Sequence, residues 1–212
     1  MGSLYQAIKL KEVIETFNIK NFVETGTGAG NSLAAVANLG IHDMNIYSIE
    51  VMDELYNLLL TKFKSFKNVN LIKGYSHIEM GKILDKLSPL PTLFWNDAHF
   101  PGADYNINGA TYNSEPDSVK RIPLETELRI IKDSGRNISN DVFVLDDLRI
   151  YKDGPYQSGN WDMRAVCGDN NIDFVHNLFK DSHTIIASYL AEGYLILFPK
   201  RLTIETCKSL IN

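Results

Sequence analysis

Apolar positions along the chain follow two alternating periods. Short apolar runs, typical of strands buried on both faces, alternate with segments whose apolar side chains recur every three or four residues, as on an amphipathic helix. The opening segment, Leu4 to Phe17, has the helical period and predicts one helix. The alternation as a whole predicts a parallel sheet with helices on both faces. The predicted strands are 21–24, 45–49, 69–72, 91–97, 141–145, 182–187 and 193–198.

The last two predicted strands are joined by residues 188–192, which are too few for a helical crossover, so this pair should be antiparallel. The predicted fold class is therefore α/β: a single Rossmann-like, doubly wound sheet of about seven strands, mostly parallel with an antiparallel last strand. A chain of 212 residues suits one domain, 1–212. A polar insertion, residues 100–121, interrupts the pattern and is predicted to be a substrate or lid loop.

Composition narrows the class of partner. The net charge of −5 gives no electrostatic reason to expect a nucleic acid or an anionic membrane. No apolar run approaches the roughly 20 residues of a membrane span, and the first residues lack the pattern of a secretory signal. Two cysteines without a Cys-x-x-Cys motif fit a reducing compartment. We expect a cytoplasmic protein with a small-molecule partner; the sequence leaves open whether it forms a homo-oligomer.

A glycine-rich turn, residues 23–30, joins the first strand to a helix, an arrangement that brings backbone amides close to a polar or anionic ligand. Its spacing is Gly-x-Gly-x-Gly, without the Gly-x-Gly-x-x-Gly of dinucleotide sites or the Lys-Ser/Thr of a P-loop. Glu24 would repel a pyrophosphate but suits a cationic sulfonium ligand with an α-ammonium group. Glu50, ending the second strand, can accept both hydroxyls of a ribose. Together these acids favour a nucleoside without phosphate; a purely structural turn is the alternative.

At these positions the sequence resembles the class I S-adenosylmethionine-dependent methyltransferases. The resemblance spans residues 20–150 and rests on Val-Glu-Thr-Gly-Thr-Gly-Ala-Gly-Asn-Ser at 23–32, Ile-Glu at 49–50, Gly-Tyr-Ser at 74–76 and Asn-Asp-Ala-His at 96–99. It implies S-adenosylmethionine as cofactor, with Glu24 and Gly26 at the methionine part, Glu50 at the ribose and Ser76 near the adenine. The cofactor-binding residues that it implies are Glu24, Thr25, Gly26, Gly28, Gly30, Ser32, Glu50 and Ser76.

Three acids follow the fourth and fifth strands: Asp97, Asp146 and Asp147. Neighbouring parallel strands end at one crevice, where three carboxylates repel one another unless a proton or a hard cation such as Mg²⁺, Mn²⁺ or Ca²⁺ holds them together. The pattern is similar to the metal-dependent O-methyltransferases, above all the macrolide or aminocoumarin sugar type. That resemblance implies a metal at Asp97, Asp146 and Asp147 holding two acceptor oxygens. The insertion is longer than in the catechol type, and a capping role for Asp146 or Asp147 stays open.

Asp97 and His99 are the predicted catalytic residues, because a carboxylate or an imidazole near neutral pKa can take a proton from an acceptor. The leading hypothesis is a methyltransferase that acts on a hydroxyl, with an amine or a carboxyl as the alternatives, of a small polar, carbohydrate-like acceptor such as a sugar or nucleotide sugar. Whether a divalent metal assists the transfer stays open. Arg149 and Arg164 are candidates to pair with an anionic acceptor. The alternatives are an NAD-dependent oxidoreductase or epimerase, and a nucleoside-binding scaffold without catalysis.

Overall fold

One seven-stranded sheet forms the centre of the molecule. The structure, a computed structural model, describes residues 2–161 and 171–212. The strands are β1 Asn21–Thr25, β2 Asn45–Glu50, β3 Val69–Lys73, β4 Thr92–Asn96, β5 Val142–Leu145, β6 His183–Ser188 and β7 Tyr194–Pro199. Their order in the sheet is β3-β2-β1-β4-β5-β7-β6, and β7 is antiparallel to both of its neighbours. The predicted fold class is confirmed.

Helices cover both faces of this sheet. They are α1 Leu4–Ala7, α2 Leu10–Phe17, α3 Asn31–Ala37, α4 Asp53–Lys62, α5 Ser76–Leu84, α6 Ser118–Arg121, α7 Leu124–Asp133, α8 Asp173–Phe179 and α9 Ile204–Ser209. The single opening helix that the sequence predicts is wrong, because Ile8 is extended and forms an isolated antiparallel bridge with Ile211. None of the helices in the described ranges is long and apolar enough to cross a membrane.

The central strands are buried on both faces. Successive residues of β4 alternate between two apolar layers: Leu93 and Trp95 pack with helices α2, α3 and α9, whereas Phe94 packs with α5, α7 and α8. Both β1 and β4 are buried along their whole length. This double burial explains why their sequences read as continuous apolar runs rather than as an alternation of apolar and polar residues.

The strand register places several predicted site residues side by side. Thr25, the last residue of β1, is paired with Ile49 of β2 on one side and Asn96 of β4 on the other. The chain order reverses between β1 and β4, and ligands of open α/β sheets bind at such a point, beyond the carboxyl ends of the strands. The glycine turn, Glu50 and Asp97 all follow directly from these paired positions.

The insertion at 100–121 is an ordered part of the fold. It contains two short 3-10 turns, Ala103–Tyr105 and Ile107–Gly109, followed by α6. Its first residue, Phe100, is buried against the second apolar layer, and the Phe100 amide donates to the carbonyl of Arg121. The insertion is therefore closed at its base and folds back across the carboxyl ends of the strands.

Candidate functional site

A cavity lies over the carboxyl ends of β1, β2 and β4, and most of the predicted cofactor residues line it. We call it the first cavity. Its wall includes the ends of the strands, the glycine turn and the start of the insertion. Eight of the predicted site residues are in that wall: Glu24, Gly26, Gly28, Ser32, Glu50, Ser76, Asp97 and His99.

Thr25 and Gly30, two other predicted cofactor residues, lie outside the wall of the first cavity, and each has a role in the packing. The Thr25 hydroxyl donates to Glu127 at 3.2 Å, on the opposite side of the strand from Glu24. Gly30 adopts φ +74°, and a Cβ there would lie 2.7 Å from Leu59 and 2.9 Å from Phe63. Gly30 therefore lets α3 begin close against α4.

The other two glycines of the turn also accept close contacts from the protein itself. A Cβ on Gly26 would lie 2.5 Å from the carbonyl oxygen of Asp97, and one on Gly28 would meet the Tyr105 hydroxyl. Both residues have positive φ, which side chains disfavour. The sequence analysis explained these glycines by the approach of a ligand, whereas in the fold they also let β4 and the insertion reach the turn.

Glu24 is a buried carboxyl on the floor of the first cavity. It accepts a hydrogen bond from the Ser48 hydroxyl. Burial raises the pKa of Glu24 to about 8, the Ser48 hydrogen bond opposes that shift, and the nearby charge of Glu50 adds to it. A buried acid of this kind is stabilised by a proton or by a cationic group of a ligand.

Glu50 fastens the end of β2 to the glycine turn. Its two oxygens accept hydrogen bonds from the backbone amides of Gly28 and Met52, each at 2.8 Å. Burial raises the pKa of Glu50, although these amide hydrogen bonds act to lower it. Each carboxylate oxygen has a second lone pair, so Glu50 can still accept from ligand hydroxyls.

Glu127, which the sequence analysis did not single out, organises the polar groups beneath the first cavity. It extends from α7, is 1% exposed, and accepts from Asn96 Nδ2 at 2.7 Å and from the Thr25 hydroxyl. The Ser76 side chain also interacts with Glu127 and acts to lower the pKa of this carboxyl, which connects Glu127 to a residue predicted to lie near the adenine. The signal was available: Glu127 is the one charged residue within the apolar stripe of α7, between Leu124 and Leu128.

A second cavity of about 220 Å³ opens beside the first, and Gly2, Asp97, His99 and Asp104 line both of them. The sequence analysis missed Gly2, Asp104 and Glu192, because nothing in their local sequence links them to the site. The residues lining the second cavity are Gly2, Asp97, His99, Ala103, Asp104, Tyr112, Asp146, Asp147, Arg149, Trp161 and Glu192.

Two pairings organise the acids at the junction of the cavities. Asp97 hydrogen-bonds to Asp146; burial first, and then the charge of Asp146, raises the pKa of Asp97 well above its ordinary range. Asp146 is likewise raised, to a pKa of about 7, by burial and by the charge of Asp147. Two carboxyls that share one proton in this way avoid placing two negative charges in contact.

Asp147 forms the other pairing, with two basic side chains. His99 Nε2 lies 3.0 Å from one of its oxygens and Arg149 Nε lies 3.1 Å from the other. Burial acts to raise the pKa of Asp147, but the hydrogen bond and charge of His99, with Arg149, lower it overall. For His99, burial acts to lower the pKa, but Asp147 outweighs it and raises the pKa to about 9.

The arrangement of these acids does not fit the predicted metal. Across residues 2–161 and 171–212, no set of three or more His, Cys, Asp or Glu side chains has the spacing to hold a metal ion. Asp147 is occupied by His99 and Arg149, and Asp97 and Asp146 contact each other. The predicted ligand set Asp97, Asp146 and Asp147 is thus brought together but not arranged around a central position, and metal assistance stays a prediction.

The backbone is strained at Asp147, which lines the second cavity, and at Phe100, which lines the first. Asp147 has φ +52° and Phe100 has φ +44°, in the left-handed region that non-glycine residues rarely adopt. Such strain costs roughly 1–3 kcal/mol per residue and is concentrated at functional sites. At Asp147 it turns the chain sharply after β5, so that consecutive carboxylates face Asp97 and His99.

Aromatic side chains form one wall of the second cavity. Phe100 stacks on Trp161 with ring centroids 5.7 Å apart, and Tyr112 meets Trp161 edge-on at 4.9 Å. The Arg149 guanidinium lies 5.1 Å from the Trp161 ring centroid, in addition to its ion pair with Asp147. Arg149 is therefore committed to protein groups rather than to an anionic acceptor. Arg164, the other candidate for that role, lies outside the described residues.

Comparison with known proteins supports the fold. No family model matches the sequence, and no curated protein matches it either. Among the solved structures that resemble the chain are several methyltransferases. The methyltransferase PaMTH1 of Podospora anserina, bound to S-adenosylhomocysteine, has a TM-score of 0.57 and 16% identity, over 89% of this chain and 76% of its own. A Staphylococcus aureus protein assigned as a caffeoyl-CoA O-methyltransferase has a TM-score of 0.56 and 14% identity, over 90% and 80%.

A third is a SAM-dependent methyltransferase from Aquifex aeolicus, with a TM-score of 0.50 and 15% identity, over 91% of this chain and 89% of its own. At these identities the likeness concerns the fold. The chain has the α/β fold of the class I methyltransferases, with the antiparallel seventh strand.

Proposed function

We propose that the chain is an S-adenosylmethionine-dependent methyltransferase that acts on a hydroxyl of a small polar, carbohydrate-like acceptor. One observation supports this above all: a cavity with a buried acid, Glu24, at its floor joins a second, polar cavity at Asp97 and His99. Two joined compartments suit a cofactor and an acceptor whose reacting atoms meet at the junction.

The first cavity fits S-adenosylmethionine better than a dinucleotide. Glu24 is a desolvated carboxyl that a cationic α-ammonium group would stabilise, and it would repel a pyrophosphate. Glu50 keeps free lone pairs for the ribose hydroxyls. We assign Ser76, which interacts with Glu127, to the adenine end of the cavity. This charge arrangement argues against the NAD-dependent alternative.

When bound, S-adenosylmethionine supplies an electrophilic methyl group: an acceptor oxygen forms the new O–CH₃ bond, the sulfur keeps the electron pair of the broken C–S bond, and the hydroxyl proton must leave. Asp97 and His99 line both cavities and are placed to deal with that proton. The carboxyl pair of Asp97 and Asp146 can take it. His99, held as a cation by Asp147, would stabilise negative charge on the oxygen.

The resemblance also predicts a divalent cation, Mg²⁺ or else Mn²⁺ or Ca²⁺. No step above uses one, because the acids are not arranged to hold it. Turnover that is lost with a chelator and restored by Mg²⁺ would support a role for a divalent cation in the reaction. Full turnover in the presence of a chelator would contradict that role. The sugar type of the acceptor and a cytoplasmic location likewise stay predictions.

Titration calorimetry with S-adenosylhomocysteine and with NAD tests the proposed cofactor. We expect S-adenosylhomocysteine to bind and NAD not to bind. Binding of NAD alone would contradict the proposal in favour of an oxidoreductase.

An Asp97→Asn variant tests the proposed catalytic role of Asp97. It should still bind S-adenosylhomocysteine but lose most methyl transfer from S-adenosylmethionine in a screen of glycosides and nucleotide sugars. Unchanged turnover would show that Asp97 is not a catalytic residue.

A further inference from the structure

Three buried residues beneath the glycine turn form a continuous chain of hydrogen bonds, which we call the relay. The Ser48 hydroxyl donates to Glu24, and the hydroxyl oxygens of Ser48 and Thr27 lie 2.5 Å apart. The Thr27 hydroxyl also lies 3.1 Å from the carbonyl oxygen of Ile49, to which it can donate. Each of the three residues is at most 5% exposed, so their hydrogen bonds depend on one another rather than on bulk water.

The hydrogens available to the relay set its direction. A hydroxyl has one hydrogen to donate and two lone pairs that accept, whereas an ionised carboxyl only accepts. When Glu24 is ionised, Ser48 donates to it, and the hydrogen between the two hydroxyls comes from Thr27. When Glu24 carries a proton, it can donate to Ser48, and Ser48 then donates to Thr27. Thr27 completes this second direction by donating to the Ile49 carbonyl.

Neither direction leaves a hydroxyl of the relay without a partner. In the first direction the Ile49 carbonyl loses the Thr27 hydroxyl, but it still accepts from the backbone amides of Gly26 and Thr27, at 3.0 and 3.2 Å. Burying an unpaired donor or acceptor is costly, because the group gives up its hydrogen bonds to water. The relay therefore allows a buried carboxyl to lose or gain a proton without that cost.

The groups around Glu24 keep it close to a change of protonation state. Burial first, and the charge of Glu50 on β2, raise the pKa of Glu24 to about 8. Three groups act to lower it: the Ser48 hydroxyl, the backbone amide of Leu33 on α3 and the charge of Lys62 on α4. The charge of Glu24 in turn raises the pKa of Asp97 after β4. Near pH 7 the free protein therefore keeps Glu24 largely neutral, and a cationic ligand group favours its ionised form.

We infer that Ser48 and Thr27 are positioning residues for the cofactor, because they form a relay that reverses direction when the ammonium group of the cofactor ionises Glu24. This inference rests on the proposed methyltransferase function and deepens it. Glu24 and Thr27 line the first cavity, whereas Ser48 is not part of its wall, so Ser48 acts on a ligand through its neighbours. On binding, the carboxyl proton passes to solvent, Ser48 donates to Glu24, and Thr27 donates to Ser48.

The first test measures the binding of S-adenosylhomocysteine by calorimetry from pH 6 to 9 in the wild type and in Ser48→Ala. Wild-type affinity should rise with pH and level off near pH 8, the pKa of Glu24 in the free protein. Ser48→Ala removes the donor to the ionised carboxyl and so raises that pKa further. We expect roughly tenfold weaker binding at pH 7.5, and an affinity that is still rising at pH 9. An unchanged pH profile overturns the inference.

A second comparison distinguishes action through Glu24 from a merely structural role of Ser48. In a Glu24→Gln background the side chain does not ionise, so Ser48→Ala should weaken S-adenosylhomocysteine binding by no more than about two- to threefold. An equal loss in both backgrounds overturns the inference. Thr92→Val is the matched control, because it removes a buried hydroxyl at the amino end of β4 that bonds to Arg136. It should lower Tm and leave the pH profile unchanged; an equal shift of the profile overturns the inference.

The Thr27 hydroxyl should act through Ser48. We expect Thr27→Val to weaken binding at pH 7.5 by several-fold, and Thr27→Ser, which keeps the hydroxyl, to bind like the wild type. In a Ser48→Ala background Thr27→Val should have no further effect, whereas a full additional loss overturns the relay. If Ser48→Ala does not fold, Thr27→Val in the wild-type and Glu24→Gln backgrounds repeats the comparison, and equal losses there overturn the inference.

Thermal melts without ligand separate the failure of this inference from that of the proposed function. Because the neutral form of Glu24 favours folding, a higher pKa in Ser48→Ala extends the loss of stability to higher pH. The difference in Tm between the wild type and Ser48→Ala should therefore widen from pH 7 to 9. If the wild type binds S-adenosylhomocysteine but this difference stays constant, only the inference fails. If the wild type does not bind S-adenosylhomocysteine, the proposed function fails and the inference with it.

Discussion

Glu24 is a weak acid that is buried at the floor of the first cavity. The Ser48 hydroxyl and the charge of Lys62 offset only part of the effect of burial, which raises the pKa of Glu24 to about 8, so the free protein keeps this carboxyl largely protonated near neutral pH. A cationic ligand group reverses that balance, because the ionised form then gains a partner. The same residue should therefore favour binding and oppose folding as pH rises.

For binding, we expect S-adenosylhomocysteine to release a proton from Glu24 when it binds near pH 7, and its affinity to rise with pH up to about 8. Glu24→Gln should weaken binding by roughly 10- to 100-fold, the usual contribution of a hydrogen bond to a charged group. Calorimetry in buffers of different ionisation enthalpy measures the released proton. Unchanged proton release in Glu24→Gln would contradict the assignment of Glu24 to the ammonium group.

The effect of Glu24 on the stability of the fold has the opposite dependence on pH from its effect on ligand binding. The pKa of Glu24 is raised in the folded state, from about 4.5 to about 8, so its neutral form favours folding and the advantage is lost progressively as pH rises between those values. Glu24→Gln remains neutral and keeps an oxygen for Ser48. Without ligand, the variant should have a higher Tm than the wild type at pH 8–9 and a similar Tm near pH 5; thermal melts across this range measure the difference.

At the scale of elements, the insertion is held on the glycine turn by one tyrosine. The Ala29 amide donates to the Tyr105 hydroxyl at 2.8 Å, and the same hydroxyl lies over Gly28. The 3-10 turn that contains Tyr105 also contributes Asp104 to both cavities. The insertion therefore forms part of the wall of the first cavity, and its role as a substrate or lid loop stays a prediction.

Tyr105→Phe removes the acceptor for the Ala29 amide and should loosen this contact. We expect faster hydrogen exchange across residues 100–110 and a several-fold higher KM for S-adenosylmethionine, since a lost neutral hydrogen bond costs about 1 kcal/mol. Tyr112→Phe is the matched control: its hydroxyl bonds to Asp104 within the insertion and does not touch the glycine turn. An equal rise in the cofactor KM in both variants would argue against a specific contact at Ala29.

At the scale of the whole molecule, the two ends of the central strands differ: the candidate site lies at one end and a stabilising ion pair at the other. The acids and the cavities lie at the carboxyl ends of β4 and β5, whereas a buried ion pair lies near their amino ends. There Arg136 Nε contacts Asp141 at 3.0 Å, and Arg136 also donates to Thr92 and to the carbonyl of Ser88. This pair fastens the loops before β4 and β5 without reaching either cavity.

Arg136→Met should therefore affect stability and not catalysis. Removing one member of a buried pair costs about 3–5 kcal/mol, because the other charge is left without its partner. In a chain of this size, that loss lowers Tm by on the order of 10 °C. Arg129→Met, in an exposed pair with Glu125 on α7, should change stability by less than about 1 kcal/mol. A large change in KM or kcat for Arg136→Met at 20 °C would contradict this separation.

Much of this organisation could be predicted from the chain because it is encoded locally. Strand burial leaves continuous apolar runs, and all seven predicted strands are found within one or two residues of their predicted ends. Asp97, Asp146 and Asp147 could be placed at one crevice because parallel strands end at the same edge of a sheet. The opening helix was wrong where a distant partner, Ile211, competes for Ile8. Local periodicity contains no information about such a partner.

What the sequence by itself determined is the sheet, the turn of glycines and the acids that follow the strands, because each depends on the period, spacing or chemistry of neighbouring residues. The tertiary structure alone decided how those groups are used. It paired Asp147 with His99 and Arg149, set Asp97 against Asp146, and directed Thr25 to Glu127. Those pairings join segments far apart in the chain, and their energies depend on burial and distance, which exist only once the chain has folded.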